Sequence, residues 1–184
     1  MITLFQIDKS GSYIFEKDYS VVLVLNKERI YGVNIPKKIK DELVHLFKKG
    51  ELNINHHSKK KKKNRFMLRF HTVVVIKLIE KAIRDLGYVE EVNFQICNDF
   101  DGHFHEIQDM VFKNLSKLIP SLKLEDIVQT KFKKPSLIDN VGKDFRNNDR
   151  YNDRYNDRYN DRYKLKDYNI VKLNLEELIK MIRK

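Results

Sequence analysis

The chain has 184 residues, a net charge of +11 and 34% charged side chains, enough length for one well-buried core but not for two. No run of eighteen apolar residues occurs, and the start Met1-Ile2-Thr3-Leu4-Phe5-Gln6 has no basic region ahead of an apolar segment. Neither a membrane span nor a secretory signal is read, so a cytoplasmic protein with no membrane partner is expected. The single cysteine, Cys97, excludes an intrachain disulfide, and its place in an apolar strand pattern reads as core filler rather than as a nucleophile.

In chain order, Ile2 to Asp8 reads as a strand and Asp8-Lys9-Ser10-Gly11-Ser12 as a turn. Tyr19 to Asn26 and Arg29 to Ile35 then form two more strands joined at Asn26-Lys27-Glu28, an antiparallel opening. A helix starts at Pro36, carries Ile39, Leu43, Leu46 and Phe47 at helical spacing and ends at Gly50. After a basic loop, the spacing predicts a long helix from Phe66 to Leu86, against the local strand preference of Val73-Val74-Val75-Ile76. Val92 to Asn98 is an apolar strand, Glu106 to Ile119 a helix stopped by Pro120, Ile127 to Phe132 a short strand, and Pro135-Ser136 a helix start. Strands joined through helices run parallel, so the order βββααβαβα predicts an α/β fold with a mixed five-stranded sheet covered by helices.

Residues 1–146 form the expected domain. Asn-Asp-Arg-Tyr then repeats four times from Asn148 to Tyr163, a low-complexity insert over 147–163 that is too short in period for a solenoid. Residues 164–184 supply a strand, Asn169 to Leu173, and an amphipathic helix with Leu175, Leu178, Ile179 and Ile182 on one side. That helix either covers the core or pairs with a second copy in a homo-oligomer.

The chain remains basic when Lys59 to Lys63 are set aside, and a distributed excess of cations draws polyanions, nucleic acid first among them. A composition bias toward lysine explains the charge equally well. Lys59, Lys60, Lys61, Lys62, Lys63 and Arg65 read either as a phosphate-gripping segment or as a solvated connector.

Asp8 lies at the end of the first strand, Asp99 at the end of the fourth, and Asp139 near the start of the helix after the fifth. Carboxylates gathered at one sheet edge repel one another unless a divalent cation is held between them. With Ile7-Asp8-Lys9-Ser10-Gly11 as its signature, this arrangement over residues 1 to about 146 resembles the ribonuclease-H-like superfamily. Within it, the chain resembles an archaeal group and bacterial proteins that open with an Asp-Glu-Ser-Gly motif. The resemblance implies two Mg²⁺ or Mn²⁺ ions held by Asp8, Asp99 and Asp139, with Asp8 shared, and a nuclease that hydrolyses phosphodiester bonds. The alternatives are a catalytically silent nucleic-acid-binding module and a structural subunit that uses the terminal helix.

The fourth acid of that family, a glutamate on or before the first helix, has no clear equivalent among Glu42 and Glu51; His56 or His57 is the candidate replacement. Asp8-Lys9-Ser10-Gly11 is also a sound metal-free turn, and the helical spacing from Asp139 to Lys143 suits a local ion pair. Asp101 reads as a turn residue or an auxiliary acid, since the calcium-loop pattern fails at Met110. His103 and His105 are two apart, as metal ligands on a strand would be, but residues at a helix start fit equally well. His45 and His71 read as packing or solvent-exposed residues on helices.

Overall fold

The computed structural model describes residues 2–10, 19–54, 58–97, 99–100, 102–133, 135–152 and 168–183; the side chains of Asn34 and of 147–152 are not described. Six strands, β1 (Ile2–Ser10), β2 (Ser20–Leu25), β3 (Arg29–Asn34), β4 (Glu91–Cys97), β5 (Ile127–Thr130) and β6 (Tyr168–Ile170), form one sheet in the order β5-β4-β1-β2-β3-β6. β1, β2 and β3 pair antiparallel, whereas β4 runs parallel to β1, β5 to β4 and β6 to β3. The helices are α1 (Lys37–Lys49), α2 (Lys59–Leu86), α3 (Phe104–Leu115), α4 (Leu137–Asn152) and α5 (Leu175–Arg183).

The α/β class and the antiparallel-then-parallel order agree with the sequence reading, but the sheet has six strands rather than five. The sixth lies in the C-terminal segment. β1 also runs on through Ser10, with Asp8 paired to Val22 inside the ladder. Asp8-Lys9-Ser10 is therefore strand, not turn; an apolar, β-branched partner strand extends the pairing past the local turn signal. Asn26 and Lys27 both take positive φ in the three-residue turn between the paired Leu25 and Arg29. The Asn26 carboxamide accepts the Leu4 N–H at 2.8 Å, tying that hairpin to β1.

The basic run is helical, not a loop, because α2 begins at Lys59 after Ser58. Val73 to Ile76 stay in the helix although they are β-branched, since each is fully buried and packing outweighs a propensity difference of a few tenths of a kcal/mol per residue. α2 forms one core with Phe5, Ile7, Phe94 and Ile96 of the central strands. α5 lies on α2, its Leu178 and Ile182 buried, with Arg69 donating to the Ile182 carbonyl at 3.0 Å. The terminal helix thus covers the chain's own core.

The opposite face is covered by α4, whose Ile138, Val141 and Phe145 pack on Val22 and Val24. Two glycines permit this approach. A Cβ on Gly32 would stand 2.3 Å from the Phe145 ring, and one on Gly142 would stand 3.3 Å from the Ser10 Cβ. Gly32→Ala is therefore expected to destabilise the protein by about 1–3 kcal/mol through overpacking. Chemical denaturation checks this, and Phe145→Leu added to Gly32→Ala is expected to restore part of the loss.

Candidate metal centre at the sheet rim

The parallel register pairs Ile7 with Ile96, so Asp8 and Cys97 follow side by side at the C-terminal ends of the two central strands. Asp8 faces Val22, its direct partner, and hence the side covered by α4. Asp99 lies two residues beyond Cys97, past the end of β4. Asp139 sits in the first turn of α4, where the Ser136 hydroxyl accepts its N–H at 3.3 Å. It lies one turn before Gly142, whose contact with Ser10 and Val22 brings α4 against β1 and β2.

These acids share one electrostatic environment. Burial, the charge of Asp99 and, more weakly, that of Asp139 raise the Asp8 carboxyl above the ordinary carboxylate range, while the Cys97 thiol and the Lys9 N–H oppose the rise. The Cys97 thiol donates to Asp99 Oδ2. Burial first, then Asp99 and Asp8, push that thiol well up, so it is protonated in the metal-free protein. Two lysines offset the acids: Lys9 Nζ lies 3.9 Å from Asp99 Oδ1, and Lys143 Nζ lies 2.7 Å from Asp139 Oδ2. The Asp139–Lys143 ion pair anticipated from helical spacing is present.

From the other face of the sheet, α2 contributes His71, which is fully buried. Tyr19, just ahead of β2, pairs its hydroxyl with His71 Nδ1 at 2.8 Å, and His71 Nε2 has no partner among the described residues. Among the described residues, His71, Cys97 and Asp99 are the one group of ligand-type side chains whose donor atoms all lie within 4.8 Å of one another, close enough to hold a metal ion. Asp8 and Asp139 stand outside that compact group, linked to it by the thiol and by their charges. Both His71 and Cys97 read from the sequence as packing residues. Helical and strand periodicity report which face a side chain takes, not that the two faces meet beyond the end of a strand.

The remaining candidates are placed as follows. His56, His57 and Asp101 lie outside the described residues. His103 caps α3 and bonds Glu106 at 2.9 Å, and both His103 and His105 are exposed at a helix start, not on a strand. Lys59, Lys60, Lys61, Lys63 and Arg65 are exposed, and Lys62 stands over the Phe47 ring at 5.9 Å. Because α2 leads through Gly87 into the start of β4, it runs antiparallel to that strand, and the residues before His71 lie toward the rim end. Lys63 is about 12 Å from His71 along the axis.

Comparison with protein-family models, curated proteins and solved structures finds no match for this chain. What stands on its own is an α/β protein with a mixed sheet and a His-Cys-Asp group able to hold a metal ion. No helix among the described residues is long and apolar enough to cross a membrane.

Burial lowers the His71 pKa from 6.5 to about 4, against the attraction of Asp99 and with the repulsion of Lys9. The unfolded chain therefore takes up this proton at a higher pH than the folded one, and folding stability falls as pH drops from about 6.5 to about 4. The loss is about 3 kcal/mol. Asp8 acts in the opposite sense, since its raised carboxyl binds a proton more readily in the folded state. In chelator-treated protein, His71→Gln is expected to flatten the acid side of a denaturation-midpoint profile, whereas Asp8→Asn is expected to steepen it.

Proposed function

We propose that the rim is the active site of a ribonuclease-H-like, divalent-metal-dependent nuclease that hydrolyses phosphodiester bonds, with Asp8, Asp99 and Asp139 as its catalytic carboxylates. The observation that carries this reading is the register that sets Asp8 and Asp99 at the ends of neighbouring parallel strands, with the α4 turn that bears Asp139 seated against β1. The strand order β5-β4-β1-β2-β3, with Asp8 and Asp99 at the ends of its central parallel pair, supports it. A fold alone assigns no chemistry, so the weight rests on the acids.

Mg²⁺ or Mn²⁺ bound by these carboxylates would lower the pKa of an attacking water and neutralise charge on the leaving oxygen. Asp8, on the central strand β1, would be the shared ligand. Asp139 must release Lys143 to bind a cation, and the lysine side, half-exposed, can turn to solvent when it does. Lys59 to Lys63 would hold the phosphate backbone. Five ammonium groups open α2 with no acid in its first turn, an unfavourable arrangement at the positive end of a helix dipole that a polyanion relieves.

Asp8→Asn is expected to reduce metal-dependent cleavage of RNA, DNA or a hybrid at least about 100-fold, a loss of some 3 kcal/mol of transition-state stabilisation. The same variant is expected to unfold at a higher temperature at neutral pH, because a carboxylate held against its own ionisation is removed. Undiminished cleavage by Asp8→Asn overturns the assignment. A second reading, a silent nucleic-acid-binding module, is favoured by the pairing of Lys9 and Lys143 with two of the three acids. It predicts binding that weakens steeply with salt and no cleavage with either metal.

A further inference from the structure

His71 Nε2 is a buried polar atom with no partner among the described residues, on a fully buried ring whose other nitrogen is held by Tyr19. Such an atom is uncommon, because an unpaired buried polar group costs about 1–3 kcal/mol. A nitrogen of this ring, the Cys97 sulfur and an Asp99 oxygen all lie within 4.8 Å of one another. We propose that His71, Cys97 and Asp99 form a binding site for a zinc-class transition-metal ion, distinct in donor chemistry from an all-oxygen magnesium site.

The donor set argues for this class. Magnesium takes oxygen ligands in near-octahedral geometry and is poorly served by sulfur, whereas one imidazole, one thiolate and one carboxylate match Zn²⁺ or Co²⁺. Tetrahedral ligands around such an ion stand about 3.5 Å apart, so closing the group needs movements of only about an ångström. Three protein ligands leave one position open, the pattern of a catalytic rather than a structural site. Tyr19, bonded to Nδ1, serves as the outer partner that such a histidine requires: in the tautomer that places the ring proton on Nδ1, Nε2 carries the lone pair a metal takes.

The two oxygens of Asp99 are already divided, Oδ2 toward Cys97 and Oδ1 toward Lys9. The metal replaces the thiol proton, which leaves to solvent, and the thiolate and carboxylate together neutralise the ion. Asp8 lies beside Cys97 on the neighbouring strand.

The inference rests on the rim being a cation centre, but not on its being a hydrolase. Its test is Co²⁺ titration of the full chain, followed by absorption spectroscopy. One equivalent is expected to give a near-ultraviolet thiolate-to-cobalt band that Zn²⁺ abolishes and Mg²⁺ does not. Cys97→Ser is expected to lose the band, His71→Gln to weaken binding at least tenfold, and Glu125→Gln, at an exposed acid outside the rim, to keep the band intact. Because Cys97 is the chain's one thiol, protection of wild-type protein from a thiol reagent by Zn²⁺ reads the same site without any substitution. No band and no protection at saturating metal overturns the inference. Magnesium-dependent cleavage seen alongside that result would leave the nuclease reading standing, and a band without cleavage would support the metal site while removing the hydrolase.

Discussion

The parallel pairing of β1 with β4 at the centre of the sheet is the constraint on which the site depends. It brings Asp8, from the tenth of the chain nearest the N-terminus, beside Cys97, and it places Asp99 just past the strand end. The pairing is held from below by buried apolar side chains, Phe5 against Phe94 at 4.7 Å between ring centroids and Ile7 beside Ile96. Each fully buried side chain of this kind contributes about 1.5–3 kcal/mol. A slip of one residue would turn Asp8 into the α2 core, so the same burial that stabilises the sheet sets the register of the acids.

Both faces of the sheet then contribute to one rim. α2, antiparallel to β4, brings His71 from one side, and α4, with its Phe145 over Gly32 and its own Gly142 against Ser10, brings Asp139 from the other. The groups interact because they are partly or wholly withdrawn from water. Desolvation is the leading cause of the displaced proton affinities of Asp8, Cys97 and His71 alike. Lys9 and Lys143 supply internal cations to Asp99 and Asp139, so the metal-free rim does not leave all its acids to repel one another. A divalent ion would take over that role with twice the charge at closer range.

Charge is organised on two scales. The chain as a whole is strongly basic, yet the rim is acidic, and the lysine-rich start of α2 lies toward the rim end of the molecule. Cations spread over a surface raise the local concentration of a polyanion, while clustered carboxylates repel it unless a metal is present. A phosphate approaching this rim would therefore meet attraction at long range and depend on a bound cation at short range.

Much of the fold was legible in the sequence because its signals are local. Gly50 and Gly87 end helices, Asn26-Lys27 turns a hairpin, and alternating strands and helices in the second half imply parallel pairing. Asp8, Asp99 and Asp139 stood out for the same reason, as acids at the ends of recognisable elements. The helical state of Lys59 to Lys63, the joining of the C-terminal strand to the sheet beside β3 and the strand character of Asp8 to Ser10 were not legible, since packing on distant segments overrides weak local preferences. Nor were His71 and Cys97, whose spacing shows only that they are buried. That their donor atoms meet those of Asp99 is a property of three elements brought together around the end of one strand, and only tertiary structure could decide it.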